Sequence, residues 1–549
     1  MASTLIILIL VVPLAAAVAV WALGAANLSA VRSLTLAAVL INLAITLVAV
    51  VPASHDLTAR STLPAGMTFH PIYETNALIL PFGSSDGRAG IRFHIGLDGI
   101  NIWLVLLTSF LMVPSVLVGW NVIQERGNEY YAWLLVLQAA MTGVFLAFDI
   151  ILFYIFFELT LVPLYFLIGI WGGPMRREAS RKFFLYTLAG SLITLLGMMA
   201  IVLVCYRSGG KAELTFSIPE LVTQVGSLIA SGRPVFTTKL QVAIFLALAV
   251  GFAVKVPLFP VHTWLPLAHV EAPTAGSVLL AGVLLKLGTY GFLRLCLPLV
   301  PDGVATVGVP LLGSLAAIGI VYGAMCAYAQ NDVKKLVAYS SVSHLGFCVL
   351  GLVALNLAGL TGSLLQMVNH GLSTGGLFLL VGMLYERYHT RMMSDYSGLA
   401  ARLKLLSAFM VFICLTSVGM PGLNGFVGEM LVLAGTYSMP GATFAGVPWY
   451  SWSVAAGIVL GGWYLFTMLK RVFFGPLHEP HHDGHEVSDL TGRELATLLP
   501  VMAACLALGL WPQPVIDTAK GDLAVVEKIV GAAKERAARA SEKPAVALK

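Results

Sequence analysis

The chain has 549 residues, of which 58% are hydrophobic and only 11% are charged, with a formal net charge of +5. Soluble domains carry roughly 25% charged residues, so this composition excludes a sizeable soluble domain and indicates a polytopic membrane protein. The basic residues lie in loops beside apolar segments, and the small positive charge therefore gives no indication of a nucleic-acid partner.

The sequence lacks the motifs that usually hold a cofactor. There is no Walker A sequence and no GxGxxG turn in a strand–helix setting, so no nucleotide site is predicted. The six cysteines are Cys205, Cys296, Cys326, Cys348, Cys414 and Cys505. All lie in apolar segments without a CxxC pair, which is typical of small buried hydrophobes rather than disulfides, zinc ligands or iron–sulfur ligands. We expect no metal and no cofactor on this chain.

Apolar runs of about 20 residues, long enough to cross a bilayer as a helix, recur about fourteen times. Their approximate spans are 3–23, 31–51, 98–119, 130–148, 150–171, 182–205, 239–260, 274–297, 304–328, 336–356, 361–385, 405–438, 448–473 and 495–512. The first run has neither a basic flank nor a small-residue cleavage site, so we interpret it as a retained helix rather than a signal peptide.

Basic residues are concentrated in alternate short loops. The loops after segments 5, 9, 11 and 13 carry Arg176, Arg177, Arg181, Lys182, Lys334, Lys335, Arg387, Arg391, Arg402, Lys404, Lys470 and Arg471. The short loops after segments 4, 10 and 12 carry none. Positive loops stay in the cytoplasm, which predicts that both termini face outward; the long loops 52–97 and 206–238 are poor indicators and are left aside.

Two stretches outside the spans have predicted structure. The 52–97 loop contains short alternating runs such as IRFHIG, which favour a small β-hairpin on the outer surface. The tail from Leu523 to Lys543 alternates charged and Ala/Val residues at helical spacing. It predicts either a surface helix against a partner or the membrane, or an ordinary solvated helix, and we favour the solvated helix.

Segments 7 and 12 are both interrupted by proline and glycine. The sequences are KVPLFP at 255–260 and GMPGLNGFVGE at 419–429. Five segments separate the two breaks, so the broken helices cross the membrane in opposite directions. This placement indicates an inverted-topology repeat of segments 4–8 against 9–13, the architecture that ion transporters use around a midplane site. The predicted fold is therefore all-α, with two inverted five-helix repeats.

Two lysines lie in apolar segments around the first break. A lysine deep in a spanning helix normally faces a partner or a water-filled cavity. Lys286 lies between ten residues from Gly276 to Leu285 and eleven from Leu287 to Leu297, too deep to snorkel easily. Lys255 lies beside the break, so snorkelling to the interface remains an alternative there. Both are candidate proton carriers, because a buried lysine loses and regains its proton more readily.

Two glutamates complete the set of buried charges. Glu158 stands in ILFYIFFELTLVPLYFLIGIW, and we expect it to pair with Lys255. The alternative is a protonated carboxyl group that hydrogen-bonds a neighbouring helix. Glu429 follows the second break and precedes MLVLAG, which favours a proton-carrying role over a cap on a half-helix.

Membrane histidines are the remaining candidates on the path. His344 and His370 have small polar neighbours, and an unperturbed pKa of about 6.5 suits a proton relay. For each one alone, a structural hydrogen bond between helices is nearly as good an explanation. Because both lie between Lys286 and Glu429 in chain order, we expect them to form part of a polar line.

Three polar residues and one histidine-rich stretch are less informative. His262 and His269 lie in the first break, and Glu271 next to them suits the anchoring of a turn equally well. HEPHHDGHE, from His478 to Glu486, looks like a metal-binding tract but has no fixed ligand spacing. We interpret it as a solvated loop.

Several long motifs resemble the antiporter-like proton-channel subunits of respiratory complex I, and most closely the subunit M type, which corresponds to mitochondrial subunit 4. They are HTWLPLAHVEAPTAGSVLLAGVLLKLGTYGFLR, NDVKKLVAYSSVSHLGF, NHGLSTGGLFLLVGMLYERYHTR and GMPGLNGFVGE. The resemblance covers roughly 98–474, whereas the N-terminal segments and the tail are not diagnostic.

The resemblance implies fourteen helices, two inverted five-helix bundles and broken helices 7 and 12. By motif match, the proton-path residues of that family fall on Glu158, Lys255, Lys286 and Glu429. Related L and N subunits and several antiporter subunits carry lysine at the position of Glu429, so the glutamate favours the M type. We also predict no long lateral helix after segment 14, which argues against the L type.

The resemblance also implies the setting in which the chain works. NADH, flavin, iron–sulfur clusters and quinone would belong to other subunits, and the partners would be membrane-arm subunits, especially L and N, together with membrane lipids. The implied division is 1–97 for the N-terminal helices and outer loop, 98–129 for the third helix, 130–300 and 301–475 for the two half-channels, and 476–549 for the last loop, helix and tail.

Two rival hypotheses remain beside a proton-pumping subunit in a bacterial inner membrane. One is a subunit of a multisubunit cation/proton antiporter or of a hydrogenase- or ferredoxin-linked pump, since ferredoxin-driven relatives share these motifs. The other is a structural spacer that has lost transport, and the presence of all four buried charges argues against it.

Overall fold

The computed structural model describes most of the chain. The described residues are 2–24, 27–61, 66–82, 90–208, 214–232, 235–439, 441–480 and 487–546. Two-thirds of the predicted histidine-rich stretch, residues 481–486, therefore lies outside the described residues.

Twelve helices in the described part of the chain are long and apolar enough to cross a membrane. They are α1 (Ala2–Ala22), α2 (Leu28–Arg60), α4 (Gly127–Leu146), α5 (Ile150–Trp171), α6 (Arg176–Ser208), α8 (Thr238–Lys255), α10 (Thr274–Leu299), α11 (Pro301–Tyr328), α12 (Val333–Val353), α13 (Leu357–Tyr388), α16 (Trp449–Val472) and α17 (Gly492–Leu510). The prediction of an all-α polytopic membrane protein is confirmed.

The two other predicted segments form shorter helices. Segment 3 is α3, Ile102–Val118, and segment 12 is divided into α14, Lys404–Ser417, and α15, Asn424–Tyr437. The remaining helices are short or lie outside the spans: α7 (Ile218–Ala230), α9 (Leu265–Glu271) and α18 (Gln513–Val546). The total of fourteen spanning helices stays a prediction.

Both predicted helix breaks are present. Helix α8 ends at Lys255, and the chain turns through the prolines before α9 begins. A proline removes a backbone donor and clashes with the preceding turn, so the helix cannot continue through this stretch. The Trp264 ring nitrogen donates to the Val254 carbonyl at 2.9 Å, which pairs one of the carbonyls at the end of α8.

The second break depends on glycine. Gly419 and Gly422 have φ of +76° and +88°, a conformation that residues with a side chain rarely adopt. They end α14 and turn the chain into α15. The break lets α15 restart inside the protein, so its first turns are surrounded by other helices.

Helix α5 has a third, milder interruption at Thr160. Pro163 lacks the backbone N–H that would bond to the Leu159 carbonyl, so the helix is regular over Ile150–Leu159 and again over Leu161–Trp171. The interruption places Thr160 in the interior, fully buried, between the two helical pieces.

The predicted hairpin between segments 2 and 3 is confirmed. Strands β1 (Ile72–Pro81) and β2 (Gly90–Leu97) pair antiparallel. Backbone bonds also join the hairpin to the helices, because the Phe148 amide donates to the His94 carbonyl at 2.8 Å. A second small pair, β3 (Thr443–Phe444) and β4 (Val447–Pro448), precedes α16.

The expectation of a solvated tail is wrong. The tail forms α18, a helix of 34 residues and therefore about 51 Å long, which packs against α2, α11 and α13. Its buried stripe is Leu523, Val526, Val530 and Ala533. The Glu527 carboxylate accepts the Leu357 amide at 2.9 Å, and Arg536 donates to Asp302 at 2.6 Å. A helix does follow segment 14, but it folds back on its own chain.

Candidate functional site

Helices α10 and α13 touch through glycines at the centre of the molecule. A Cβ added to Gly371 would lie 2.8 Å from the Gly282 carbonyl oxygen, closer than real Cβ contacts come. Without side chains at these two positions, the two backbones can pack directly against each other. This close approach brings Lys286 and His370, each a few residues from its glycine, into contact.

Lys286 is fully buried and has two polar partners. Its ammonium group lies 2.6 Å from Nδ1 of His370 and also donates to the Ala281 carbonyl. Among the described residues, no carboxylate lies within ion-pairing distance of it. The partner that can exchange a proton with Lys286 is therefore the imidazole of His370.

His344 comes next along this line. Its ring centroid lies 5.7 Å from that of His370, and Nε2 of His370 has no hydrogen-bond partner in the described structure. On its far side, Nδ1 of His344 lies 3.6 Å from the Glu429 carboxylate, and Nε2 lies 3.2 Å from the Tyr464 hydroxyl. His344 therefore stands between the lysine–histidine pair and the glutamate.

Glu429 occupies a space that the second break provides. A Cβ at Gly419 would lie 2.5 Å from the Glu429 carboxylate, so the glycine leaves the space that the side chain fills. Gln366 donates to the same carboxylate at 3.4 Å. Glu429 is 2% exposed, and the neighbours that the described structure gives its carboxylate are His344, Gln366 and Gly419 of the break.

Together Lys286, His370, His344 and Glu429 form one buried polar line, named here the central line. The predicted line between the lysine and the glutamate is thus one spatial unit built from α10, α13, α12 and α15. Amine, imidazole and carboxylate groups can each take up and release a proton, so the central line can carry a proton if the step between the two imidazoles is bridged by rotation or by water.

Lys255 lies at the end of α8, where the helix dipole favours a cation. It is 2% exposed, so the snorkelling alternative is wrong. Its ammonium group donates to the Thr160 hydroxyl at 3.1 Å and lies 4.8 Å from the ring centre of Phe157. Thr160 in turn donates to the Phe157 carbonyl at 2.8 Å.

The predicted ion pair between Glu158 and Lys255 is not formed. In the described part of the chain, Glu158 makes no salt bridge, and its Oε1 is buried without a hydrogen-bond partner. The reason is geometric: the interruption of α5 puts the Thr160 hydroxyl at the ammonium group. Glu158 is half-buried beside Tyr154 and Ser191, close enough to Lys255 for the two charges to attract through space.

Neither histidine of the first break is hydrogen-bonded to the central line in the described structure, although His269 is close enough to Lys286 and His370 for their charges to interact. His269 is fully buried and stacks on Phe378 at 4.6 Å, with both ring nitrogens unpaired in the described structure. His262 packs against Phe259 and Tyr322. Glu271 anchors a loop, as its alternative explanation held, because its carboxylate accepts the Met175 amide at 2.8 Å.

The sequence did not point to three residues that contact the site. Thr160, Gln366 and Tyr464 are polar, fully or almost fully buried, and bonded to Lys255, Glu429 and His344 respectively. In a membrane chain, isolated Thr, Gln and Tyr are common, and none of them carries a spacing signal. The one available clue was the proline three residues after Thr160.

A second buried cation on α10 has a different setting. Arg294 is fully buried and pairs with Asp98 through contacts of 2.6 and 2.8 Å. Its Nε donates to the Tyr290 hydroxyl at 3.1 Å, and the rings of Phe69 and Phe148 lie 4.6 and 4.9 Å from the guanidinium. Hydrogen-bond acceptors thus surround the edge of the guanidinium group, and aromatic rings lie against its faces. This pair ties α10 to the start of α3.

Within the described ranges, no group of three His, Cys, Asp or Glu side chains is placed to hold a metal ion. The predicted histidine-rich stretch falls mostly on residues outside those ranges, and only His478 and Glu479 of its ionisable residues are described. The prediction of a solvated loop there stays a prediction.

The profile of a family described as NADH:quinone oxidoreductase/Mrp antiporter, TM, matches residues 147–454. A relative from Rhodobacter capsulatus, named NADH-quinone oxidoreductase subunit M, is 42% identical over 78% of this chain and 80% of its own length. The chain belongs to this subunit M family. Further members are the Pseudomonas aeruginosa subunit M, 39% identical over 81% of this chain and 84% of its own, and the Arabidopsis thaliana NADH-ubiquinone oxidoreductase chain 4, 40% identical over 78% and 81%.

Solved structures give the same assignment. A chain of respiratory complex I from Thermus thermophilus superposes with a TM-score of 0.77 at 30% identity, over 96% of this chain and 99% of that one. A chain of the Mrp complex from Dietzia has a TM-score of 0.77 over the same shares but only 20% identity, which shows a common fold alone. The family and the fold predicted from the motifs are confirmed.

Proposed function

We propose that this member of the subunit M family is a proton-translocating membrane-arm subunit of an NADH:quinone oxidoreductase, and that the central line carries the proton. As part of that enzyme it is a translocase component, with quinone reduction taking place on other subunits. The observation that carries the proposal is the buried chain of four ionisable side chains from Lys286 to Glu429. Such side chains inside a membrane protein are costly and are kept for transport.

The first half of the molecule would set the charge that drives transfer. Lys255 is held by the Thr160 hydroxyl, while Glu158 stands near it without an ion pair. A change that brings Glu158 and Lys255 into contact would make Lys255 hold its proton more firmly, and separation would release it. Moving one charge against 100 mV requires about 2.3 kcal/mol. A two-unit change in an acceptor's pKa is worth about 2.7 kcal/mol. Forming and breaking the Glu158–Lys255 ion pair is therefore sufficient to move one charge against 100 mV.

The proposal includes a topology and partners. The distribution of basic residues among the loops supports an orientation with both termini on the outer face of a bacterial inner membrane, and residues 130–300 and 301–475 would form the two half-channels. The T. thermophilus match comes from a multisubunit respiratory complex. Other membrane-arm subunits are therefore its partners, with antiporter-like L and N subunits and membrane lipids as the expected neighbours.

A cation/proton antiporter subunit is the alternative function, and the observations favour it less. The Mrp chain shares the fold at 20% identity, whereas the subunit M relatives reach 42%. The glutamate at position 429 also fits the M type.

The test is Glu429→Gln, measured as proton pumping and NADH:quinone reductase activity in native membranes, with assembly checked on a native gel. Glutamine keeps the shape but cannot carry a proton. Positioned acid–base groups contribute typically 10²–10⁴-fold, so we expect pumping to fall by about a hundredfold or more.

The matched control is Glu125→Gln, which removes an exposed carboxylate from the loop before α4. It should leave pumping unchanged. Normal pumping by an assembled complex carrying Glu429→Gln would contradict the proposal and favour a spacer role.

A further inference from the structure

A cavity of about 810 Å³ opens where the end of α5 meets the starts of α4 and α6. Its lining combines two kinds of side chain. Tyr165, Phe166, Gly169 and Ile170 line it from α5. Arg126, Arg177, Glu178, Ser180 and Arg181 line it from the loop before α4 and from the first turns of α6. The cavity is therefore apolar along one helix and positively charged at its end.

Two of the arginines form no ion pair in the described structure. Arg177 and Arg181 are four residues apart on α6, so they project from the same helix face, and both are exposed. In the described structure neither forms an ion pair with a carboxylate, and the nearby Glu178 pairs with no basic residue. Arg126, by contrast, is paired with Glu129 at 2.8 Å. The positive charge of the cavity that is not in an ion pair is thus carried by Arg177 and Arg181.

Aromatic side chains beside this cavity are typical of the depth of lipid headgroups. The Trp171 ring stacks edge-on against Tyr130 at 5.2 Å, and its ring nitrogen donates to the Glu125 carbonyl at 2.9 Å. Trp133 stacks on Phe166 at 4.8 Å. Tryptophan and tyrosine with one apolar and one polar end are typical of the membrane–water boundary. The arginines lie at the polar end of this belt, and the α5 residues extend toward the hydrocarbon.

Gly169 lies where α5 and α6 pack closely beside the apolar part of the cavity. A Cβ there would lie 3.3 Å from the Ser180 hydroxyl, so α5 and α6 pack closely at this level. Below Gly169, the exposed Tyr165 and the packed Phe166 form a wall along the helix. A wall of this kind matches an extended acyl chain better than a folded peptide.

We propose that this cavity binds an anionic glycerophospholipid, whose phosphate lies between Arg177 and Arg181 and whose acyl chain lies along Tyr165, Phe166 and Ile170. Charge complementarity identifies the headgroup, because basic pockets between membrane helices bind anionic lipids. Guanidinium groups bind phosphate through paired N–H donors. The proposed lipid site is separate from the central line. The proposal does not depend on the direction in which protons are transported.

The test uses the whole purified complex, delipidated in mild detergent and titrated with phosphatidylglycerol, with bound lipid counted by native mass spectrometry. Each arginine near a membrane surface is worth about 1 kcal/mol toward an anionic lipid. The double variant Arg177→Gln/Arg181→Gln should therefore bind the phospholipid about 25-fold more weakly at this site. Arg177→Lys/Arg181→Lys, which keeps the charge, should retain most of the affinity.

Two controls make the result decisive. Lys470→Gln/Arg471→Gln removes two basic residues from the end of α16, away from the cavity, and should leave binding unchanged. Phosphatidylcholine should bind equally weakly to the wild-type and double-variant complexes. Equal phosphatidylglycerol binding by both would overturn the proposal. So would loss of a neighbouring subunit from the double variant with lipid binding intact, because an acidic protein segment would then occupy the cavity.

Discussion

Helix α10 buries two cations eight residues apart, and their surroundings differ completely. Arg294 has a carboxylate partner, a tyrosine hydroxyl and two flanking aromatic rings. Lys286 has a histidine and a backbone carbonyl, with no carboxylate at ion-pairing distance among the described residues. Both are fully buried. The burial of a charged side chain does not by itself show whether the residue suits a structural role or a transport role. The chemical nature of its hydrogen-bonding partner distinguishes the two.

The difference follows from what each group can release. Arginine remains charged at any physiological pH and, with its fixed fork of donors, holds a carboxylate in place. Lysine facing an imidazole has a neighbour that can accept its proton. The Arg294–Asp98 pair therefore suits a fixed joint between α10 and α3, and Lys286 suits a site whose charge changes during turnover.

Lys286→Met should have the largest effect on transport. Methionine has a similar volume and no titratable proton, so we expect pumping to fall by about a hundredfold or more while the complex still assembles. Pumping and assembly are measured in native membranes as for Glu429→Gln. Lys335→Met, at an exposed lysine at the start of α12, is the control. If the complex that carries Lys286→Met fails to assemble, Lys286 has a structural role like that of Arg294, and the distinction between the two cations is wrong.

Asp98→Ala should act on stability instead. It leaves Arg294 buried without its carboxylate, which typically costs about 3–5 kcal/mol. We expect little assembled complex on a native gel and a lower midpoint of thermal inactivation in what remains. The double variant Asp98→Asn/Arg294→Met removes both charges and should recover assembly. An Asp98→Ala complex that is as stable as wild type but fails to pump would place the pair on the transport path.

Thr160→Val should have the smallest effect of the three. It removes the hydroxyl that accepts from Lys255 while keeping the shape of the side chain. Hydrogen bonds to charged groups are worth roughly 1.5–3 kcal/mol, so we expect pumping to fall by about tenfold. Thr160→Ser, which keeps the hydroxyl, should behave like wild type. Equal pumping by the valine and serine variants would show that Thr160 does not control Lys255.

Much of the architecture was predictable because membrane-spanning helices can be recognised in a sequence by their length and hydropathy. The breaks at 255–260 and 419–429 were visible as proline and glycine, and the hairpin as alternating residues. The helix in the tail was predicted, but its packing against the rest of the chain was not. Its stripe of small apolar residues is too weak a pattern to reveal a packed helix, and the contacts that bury it come from α2, α11 and α13, far away in the chain.

The candidate residues were named from the sequence and their line from Lys286 to Glu429 was expected, but the individual contacts of the site were not all predicted. A charged or titratable residue inside an apolar run is conspicuous, which is why Lys286, His344, His370 and Glu429 could be named. The expected contact between Glu158 and Lys255 failed, because nothing in a linear pattern shows that Thr160 lies closer to the lysine than the glutamate does. Local spacing reports on one helix, and this contact joins two.

The sequence by itself determined that the chain crosses a membrane many times, where its helices break and which ionisable groups lie within its apolar segments. Those properties depend on composition and on neighbours along the chain, since a bilayer imposes its length and polarity on every segment separately. Only the tertiary structure decided which cation meets which partner. Gly282 against Gly371 brings Lys286 to His370, and the fold of α10 against α3 brings Arg294 to Asp98.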